Sequence, residues 1–320
     1  MFFLNTTSSN QIPNFVLICL PAFQSWQHWL AAPLGLLLVI AFSANITILS
    51  VIGREQQLHE PMYYFLGILS SLDLILCSTT TPKILGILCF NLNVIDLPGC
   101  FTQMYIMNSF LAMESATFLF MAYDRYSAIC NPLRYSSVIT GSFVRKSLVF
   151  ILVRNVLLLL PLPLLAARLH YCSGNVIENC ICSNLSVTSL ACDDRSLNAI
   201  YQLIIAFGLL GGDLIFICLS YCMIIRAVTK LKTEGAAAKA FSTCSSHLIL
   251  ISFFYSILLV LIFTNKMEKL IPAEIPIILN VLHLLVPPAL NPMVYGLRTK
   301  GIRQGIIQIL RDSQSFLKCK

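Results

Sequence analysis

The sequence predicts an all-α membrane protein: a seven-transmembrane helix bundle closed by a short amphipathic C-terminal helix. Three observations predict it. Hydrophobic residues make up 57% of the chain and charged residues 11%, against roughly 25% charge in soluble domains. The apolar residues gather into seven runs, each long enough for the ~20 residues that a spanning helix requires. Lys and Arg gather in alternate connecting segments. Long continuous runs also argue against a β-barrel, whose strands alternate over about ten residues.

Residues 1–28 hold no Lys or Arg. Met1-Phe2-Phe3-Leu4 is too short for the apolar part of a signal peptide and lacks a basic start, so the segment is expected to be an uncleaved outside tail. Asn5-Thr6-Thr7 makes Asn5 a glycosylation acceptor on that tail. Asn45-Ile46-Thr47 has the same pattern inside an apolar run, where it should be unmodified. The seven spans of the 29–297 domain fall at 29–53, 59–87, 98–130, 143–166, 197–229, 239–264 and 273–297. The first and sixth are nearly charge-free. The second, third, fourth and fifth carry Asp73 and Lys83, Glu114, Arg154 and Asp213. With the first tail outside, fifteen Lys and Arg lie inside and four outside, which sets the N-terminus out and the C-terminus in. The same confinement explains the net charge of +7 without nucleic acid as a partner. In 298–320, Ile302, Ile306, Ile307 and Leu310 recur at helical spacing with Arg303 and Arg311 opposite, as for a short helix on the inner membrane face.

Polar groups inside the runs need partners. Asp73, Glu114 and Asn291 stand on three spans, and buried carboxylates are costly, so they should face one another, water or an ion. Asn45 on the first span can join them. A sodium ion near Asp73 and Glu114, protonation of one carboxylate, and a purely structural network all fit. Arg154 is expected to pair with Asp213 or Glu114. Asn291-Pro292, with Tyr295 three residues later, should kink the seventh span. Pro161, Pro163, Pro287 and Pro288 should bend the outer halves of theirs. Asp124, Arg125 and Tyr126 stand together where the third run meets water.

Thirteen cysteines are present. Most, Cys19 among them, lie in or beside apolar runs and read as small buried hydrophobes. Cys172, Cys180, Cys182 and Cys192 crowd the long outside loop, and Cys100 sits at the outer end of the third span. Disulfides are permitted there, but spacing does not fix connectivity, and five cysteines leave one over. No His pattern accompanies them to make a metal site. His28, His59, His170, His247 and His283 are scattered over loops and spans. No GxSxG, HExxH or nucleotide loop points to an enzyme, and no internal repeat points to a transporter.

Several motifs stand in order along the chain: Pro61-Met62-Tyr63-Tyr64-Phe65-Leu66, Met121 to Cys130, Ser220-Tyr221, Lys239 to His247, and Pro287 to Tyr295. Together they resemble the rhodopsin-like G-protein-coupled receptors, and more closely the olfactory receptors. His59-Glu60 and Ala112-Met113-Glu114-Ser115 resemble the fish-like class I branch, whose ligands are often water-soluble acids and other polar odorants. Ser127 stands where the family usually has Val, and Ala44 where it usually has Gly.

The resemblance implies bridges Cys100–Cys182 and Cys172–Cys192, with Cys180 left as an extra thiol. It implies a small-molecule odorant pocket under the long loop. Met104, Met107, Asn108, Leu111 and Ala112 would come from span three, Ala206 and Phe207 from span five, and Tyr255, Leu258 and Ile262 from span six. Lys266 is either a cation for an acidic ligand or a solvated loop residue. At the inner face, the resemblance gives Arg125 a switching role, with Asp124, Tyr126, Tyr221, His247, Asn291, Pro292 and Tyr295. The implied partners are a stimulatory, olfactory-type G protein that raises cAMP and the lipids of the plasma membrane. The rival readings are a non-olfactory chemosensory receptor for a small metabolite and a transporter or channel.

Overall fold

A computed structural model describes residues 13–21, 27–230, 234–267, 270–272 and 274–318. The expected acceptor Asn5 lies outside them. The helices, in chain order, are α1 (Gln27–Arg54), α2 (Pro61–Phe90), α3 (Leu97–Cys130), α4 (Pro132–Val138), α5 (Gly141–Leu159), α6 (Pro161–Ala167), α7 (Asn184–Thr188), α8 (Ser196–Ile205), α9 (Gly212–Thr229), α10 (Glu234–Lys266), α11 (Glu274–Arg298) and α12 (Lys300–Lys318). Among the described residues, six crossings are long and apolar enough to span a membrane: α1, α2, α5 with α6, α8 through α9, Cys244–Thr264 within α10, and α11. The remaining long helix, α3, is more polar because it is central. It touches α2, α5, α9 and α10 and buries Gln103, Glu114, Ser115 and Asp124 among them. Its 34 residues give ~51 Å of helix, well beyond a hydrocarbon core of ~30 Å.

Local chemistry sets the boundaries. Pro stands in the first turn of α2, α3, α4 and α6, where its missing N–H is not needed. Asp96, Thr140 and Ser183 cap α3, α5 and α7 through side-chain oxygens that accept from Gly99, Phe143 and Ser186 N–H groups. Asn91 ends α2 in the left-handed region, φ 54°, where its N–H reaches the last carbonyls.

Two expected single helices are divided. The fourth crossing breaks at Leu160, since Pro161 and Pro163 offer no N–H to the preceding turn. The fifth is interrupted by a π-helical turn, Ala206–Gly211, between α8 and α9. Such a turn inserts an extra residue, so the faces before and after it are no longer in phase.

The end of the bundle that carries residues 168–195, called here the loop end, is not a bare tail and loop. β1 (Asn14–Leu17) pairs antiparallel with β2 (Val94–Asp96) and parallel with β3 (Val176–Ile177), in the order β2-β1-β3. Phe15 and Leu17 are fully buried. Phe15 meets the Tyr171 ring edge-on at 5.3 Å, and the Tyr171 hydroxyl donates to the Ala166 carbonyl at 2.7 Å. Three disulfides staple this end: Cys19–Cys180, Cys100–Cys182 and Cys172–Cys192. Cys180 is therefore not left over, and Cys19 is not merely a small hydrophobe: β1 carries Cys19 over the loop, a proximity invisible in one dimension. The backbone and ring of His170 both bond Asp193, at 2.8 and 2.7 Å, and hold its carboxyl below the usual range.

At the opposite end, α12 lies against α1 and α11. Small residues permit the approach. A Cβ on Gly305 would stand 2.5 Å from Val51 Cγ1, and one on Gly301 would stand 2.7 Å from Leu58. Ile302 is fully buried there.

Candidate functional site: a cavity and the polar layers beneath it

A cavity of about 790 Å³ opens at the loop end between α3, α8 with the π turn, α10 and α11. Met107, Asn108, Leu111 and Ala112 line it from α3, Ala206 from the π turn, and Leu258 and Ile262 from α10. Three expected residues lie off it. Met104 is buried in the core beside Cys100. Phe207, placed here by the resemblance, is 63% exposed on the outer surface of the bundle; neighbouring helical residues point about 100° apart, so Ala206 and Phe207 do not share a face. Tyr255 points below the cavity, to Ser115. Lys266 ends α10, and its side chain lies outside the described residues. The Asn108 amide donates to the Met104 carbonyl at 2.7 Å, so its own carbonyl oxygen remains for the cavity.

One turn below Leu111 and Ala112, Ser115 joins three helices. Its hydroxyl donates to Asp213 Oδ2 at 2.8 Å. Its single proton being used, it accepts from the Tyr255 hydroxyl at 2.7 Å. Arg154 grips both oxygens of Asp213, at 2.7 and 2.9 Å, and lies 5.7 Å from the Phe150 ring centroid. Of the two partners expected for Arg154, the geometry selects Asp213. This network joins α5, α3, α9 and α10 directly under the cavity.

The next layer holds Asp73, Glu114, Asn291 and Asn45, all buried. The Asn291 amide donates to both Asp73 oxygens, at 3.2 and 3.1 Å. Neither Glu114 oxygen has a hydrogen-bond partner. Asn45 donates to the Pro288 carbonyl at 2.8 Å. Pro292, four residues on, has no N–H for that carbonyl, and Asn45 supplies the missing donor. The sequence pattern of Asn45, Pro288 and Pro292 thus becomes one bond between α1 and α11.

At the end opposite the loop, Arg125 lies 3.3 Å from Asp124, which also accepts from the Tyr135 hydroxyl at 2.9 Å. Burial, then the Asp124 charge, pushes the Tyr135 phenol up. Tyr221 and Tyr295 are buried nearby in one core, and buried His247 meets the Tyr295 ring edge-on at 5.5 Å. The Tyr221 and Tyr295 hydroxyls and His247 Nδ1 have no partners. Tyr126 packs against this core and stacks obliquely on Tyr123 at 6.2 Å. Unpaired polar atoms around a paired Arg125 make a layer with several alternative bonds available.

Sequence reasoning missed Ser115 as a hub, His283 as a cavity residue, and the loop's contribution of Glu178, Asn179, Ser183 and Asn184 to the cavity wall. For Ser115 and His283 a signal existed: each is polar inside an apolar span. For the loop none did, since loop conformation is set by its disulfides.

The comparisons with known proteins point one way. A family model described as "Olfactory receptor" matches residues 34–313. The human olfactory receptors 56A1 and 56A4 are 58% and 57% identical to this chain, the first over 96% of both chains and the second over 95% of this chain and 97% of its own. The mouse olfactory receptor 56B34 is 47% identical over 97% of both. Squid rhodopsin shares the fold, with a TM-score of 0.73 over 92% of this chain and 90% of its own, at 15% identity.

Proposed function

Because the chain belongs to the olfactory receptor family, a non-enzymatic class of multi-pass membrane protein, we propose that it binds a small polar odorant in the loop-end cavity and activates an olfactory-type stimulatory G protein to raise cAMP. The observation that carries this reading is the continuous set of layers beneath the cavity. Leu258 lines it, Tyr255 one turn below is bonded to Ser115, and His247 lies farther along the same α10 beside Tyr295. A ligand that favours a different packing of α10 must therefore disturb the Ser115–Tyr255 bond and the His247–Tyr295 contact together. Agonism needs only a differential affinity for the two packings. Release of α10 would let Arg125 trade Asp124 for other partners and open a cleft at that end for the G protein.

The loop end is then extracellular. Its three disulfides belong in an oxidising compartment, and the basic residues of the other end suit anionic headgroups and the G protein. Glycosylation of Asn5 follows from the same orientation. Asp73 and Glu114 fit a sodium ion, since the two Glu114 oxygens have no partner and a hard cation takes oxygen ligands. Bound there, such an ion would supply a positive charge between the two carboxylates.

The test is a cAMP reporter in cells carrying the olfactory G protein, with a panel of short acids, esters and lactones. An odorant-driven rise that disappears with Arg125→Ala at equal surface expression is expected. A ligand-gated current that persists without any G protein would overturn the reading.

A further inference from the structure

His283 is a buried polar group of the cavity that the layers described above leave unused. It is 4% exposed, it lines the cavity wall, and neither ring nitrogen has a hydrogen-bond partner. A buried polar group without a partner costs on the order of 1–3 kcal/mol, which a bound group that bonds it would offset. Its place is deep: nine residues into α11, about 13 Å from the start of that helix. The ring lies against Phe254, centroids 5.3 Å apart, and Phe254 in turn packs edge-on against Tyr255 and Phe118.

The surroundings specify the occupant's chemistry. Among the described residues that line the cavity, the positive charge is Arg195, exposed at the rim. Arg154, below, is occupied by Asp213. The depth around His283 therefore holds no cation for a carboxylate, and burying an unpaired charge there is costly. Among the described residues no carboxylate is paired with His283 either. It meets a ligand as an uncharged ring, one nitrogen donating and one accepting. Pro287 also lacks the N–H that would occupy the His283 carbonyl. Leu111, Leu258 and Leu284 give the wall its hydrocarbon, and Asn280, one turn along α11, and Asn108 also line it.

We propose that His283 is the hydrogen-bonding post of the ligand cavity, taking the oxygen of an uncharged alcohol or carbonyl compound whose hydrocarbon chain lies against Leu111 and Leu258. This rests on the reading of the cavity as the odorant site and narrows its ligand class. A ligand held there presses on Phe254, and through it on Tyr255, so occupancy and the Ser115 network are in contact.

The experiment compares three seven-carbon probes, heptanol, heptanal and heptanoic acid, in the cAMP reporter at matched surface expression. Heptanol or heptanal should activate the wild type. Their potency should fall at least about tenfold in His283→Phe, which keeps a ring and removes its polarity. It should return in His283→Gln, which restores a donor and an acceptor. If His283→Phe does not reach the surface, His283→Leu carries the same comparison. Unchanged potency in the apolar variant, activation by the acid alone, or silence from all three probes would each overturn the proposal. Ala112→Trp fills the cavity beside α3 and separates the two readings. A response lost in Ala112→Trp but unchanged in His283→Phe leaves the cavity as the site and removes His283. A response that survives Ala112→Trp removes the cavity itself.

Discussion

Removing Arg154 should harm the receptor more than removing Arg154 and Asp213 together. The pair is bidentate at 2.7 and 2.9 Å, with side chains 15% and 3% exposed. In Arg154→Met, Asp213 keeps only the Ser115 hydroxyl and becomes a buried charge without a counter-charge. Breaking such a pair from one side costs roughly 3–5 kcal/mol, while replacing both members by apolar groups of similar size is often neutral or stabilising. At about 2 °C of melting temperature per kcal/mol for a chain of this size, Arg154→Met or Asp213→Leu alone should lose ~6–10 °C. The double variant should recover most of that loss. The assay is thermal unfolding of the purified receptor in detergent, with surface display in cells as an independent reading. The Ser115 hydroxyl, freed from Asp213 in the double variant, keeps Tyr255 as a partner, so no new orphan is created. If the double variant is as unstable as the two single losses added, the residues are not coupled and the reasoning fails.

Other expectations follow from the same geometry. Cys19→Ser, Cys180→Ser and the double variant should lose the same stability, ~2–4 kcal/mol, because one bond is removed in each case; each single variant should also expose one new thiol to labelling, and no new thiol would mean that the bridge is absent. Gly305→Val should undock α12 and lower thermal stability by ~1–3 kcal/mol, since even the first added carbon meets Val51 at 2.5 Å; an unchanged melting temperature would contradict the close approach. Phe207→Ala should leave odorant potency unchanged while Ala206→Trp abolishes it, and the reverse order in a dose–response series would mean that the π turn does not set the phase. Lys266→Ala should leave the potency of heptanol and heptanal unchanged, and a loss of about tenfold for either would contradict an uncharged ligand held at His283.

Hydropathy, charge placement and turn residues are local, and they were legible in the chain. Lipid and water sort each run by its own composition, so seven crossings, the basic segments and the amphipathic tail helix are properties of single stretches. The motifs that carry the resemblance are local too: Asp124-Arg125-Tyr126 marks the end of α3 whatever packs beside it. Asn45, Asp73, Glu114 and Asn291 were recognisable as a group because burying each one alone is costly.

What only the tertiary structure decided is pairing and phase. Arg154 had two candidate carboxylates, and the packing of α5 against α3 and the placement of α9 gave it Asp213. Cys19 had no visible partner until β1 crossed the loop. Phe207 came with Ala206 from the resemblance, and packing put only Ala206 on the cavity; His283 seemed one scattered histidine until a cavity formed around it. A linear sequence fixes which groups must be satisfied. The identity of the satisfying partner depends on distances between residues up to 243 positions apart, as in Asn45–Pro288, and those distances exist only once the helices have packed.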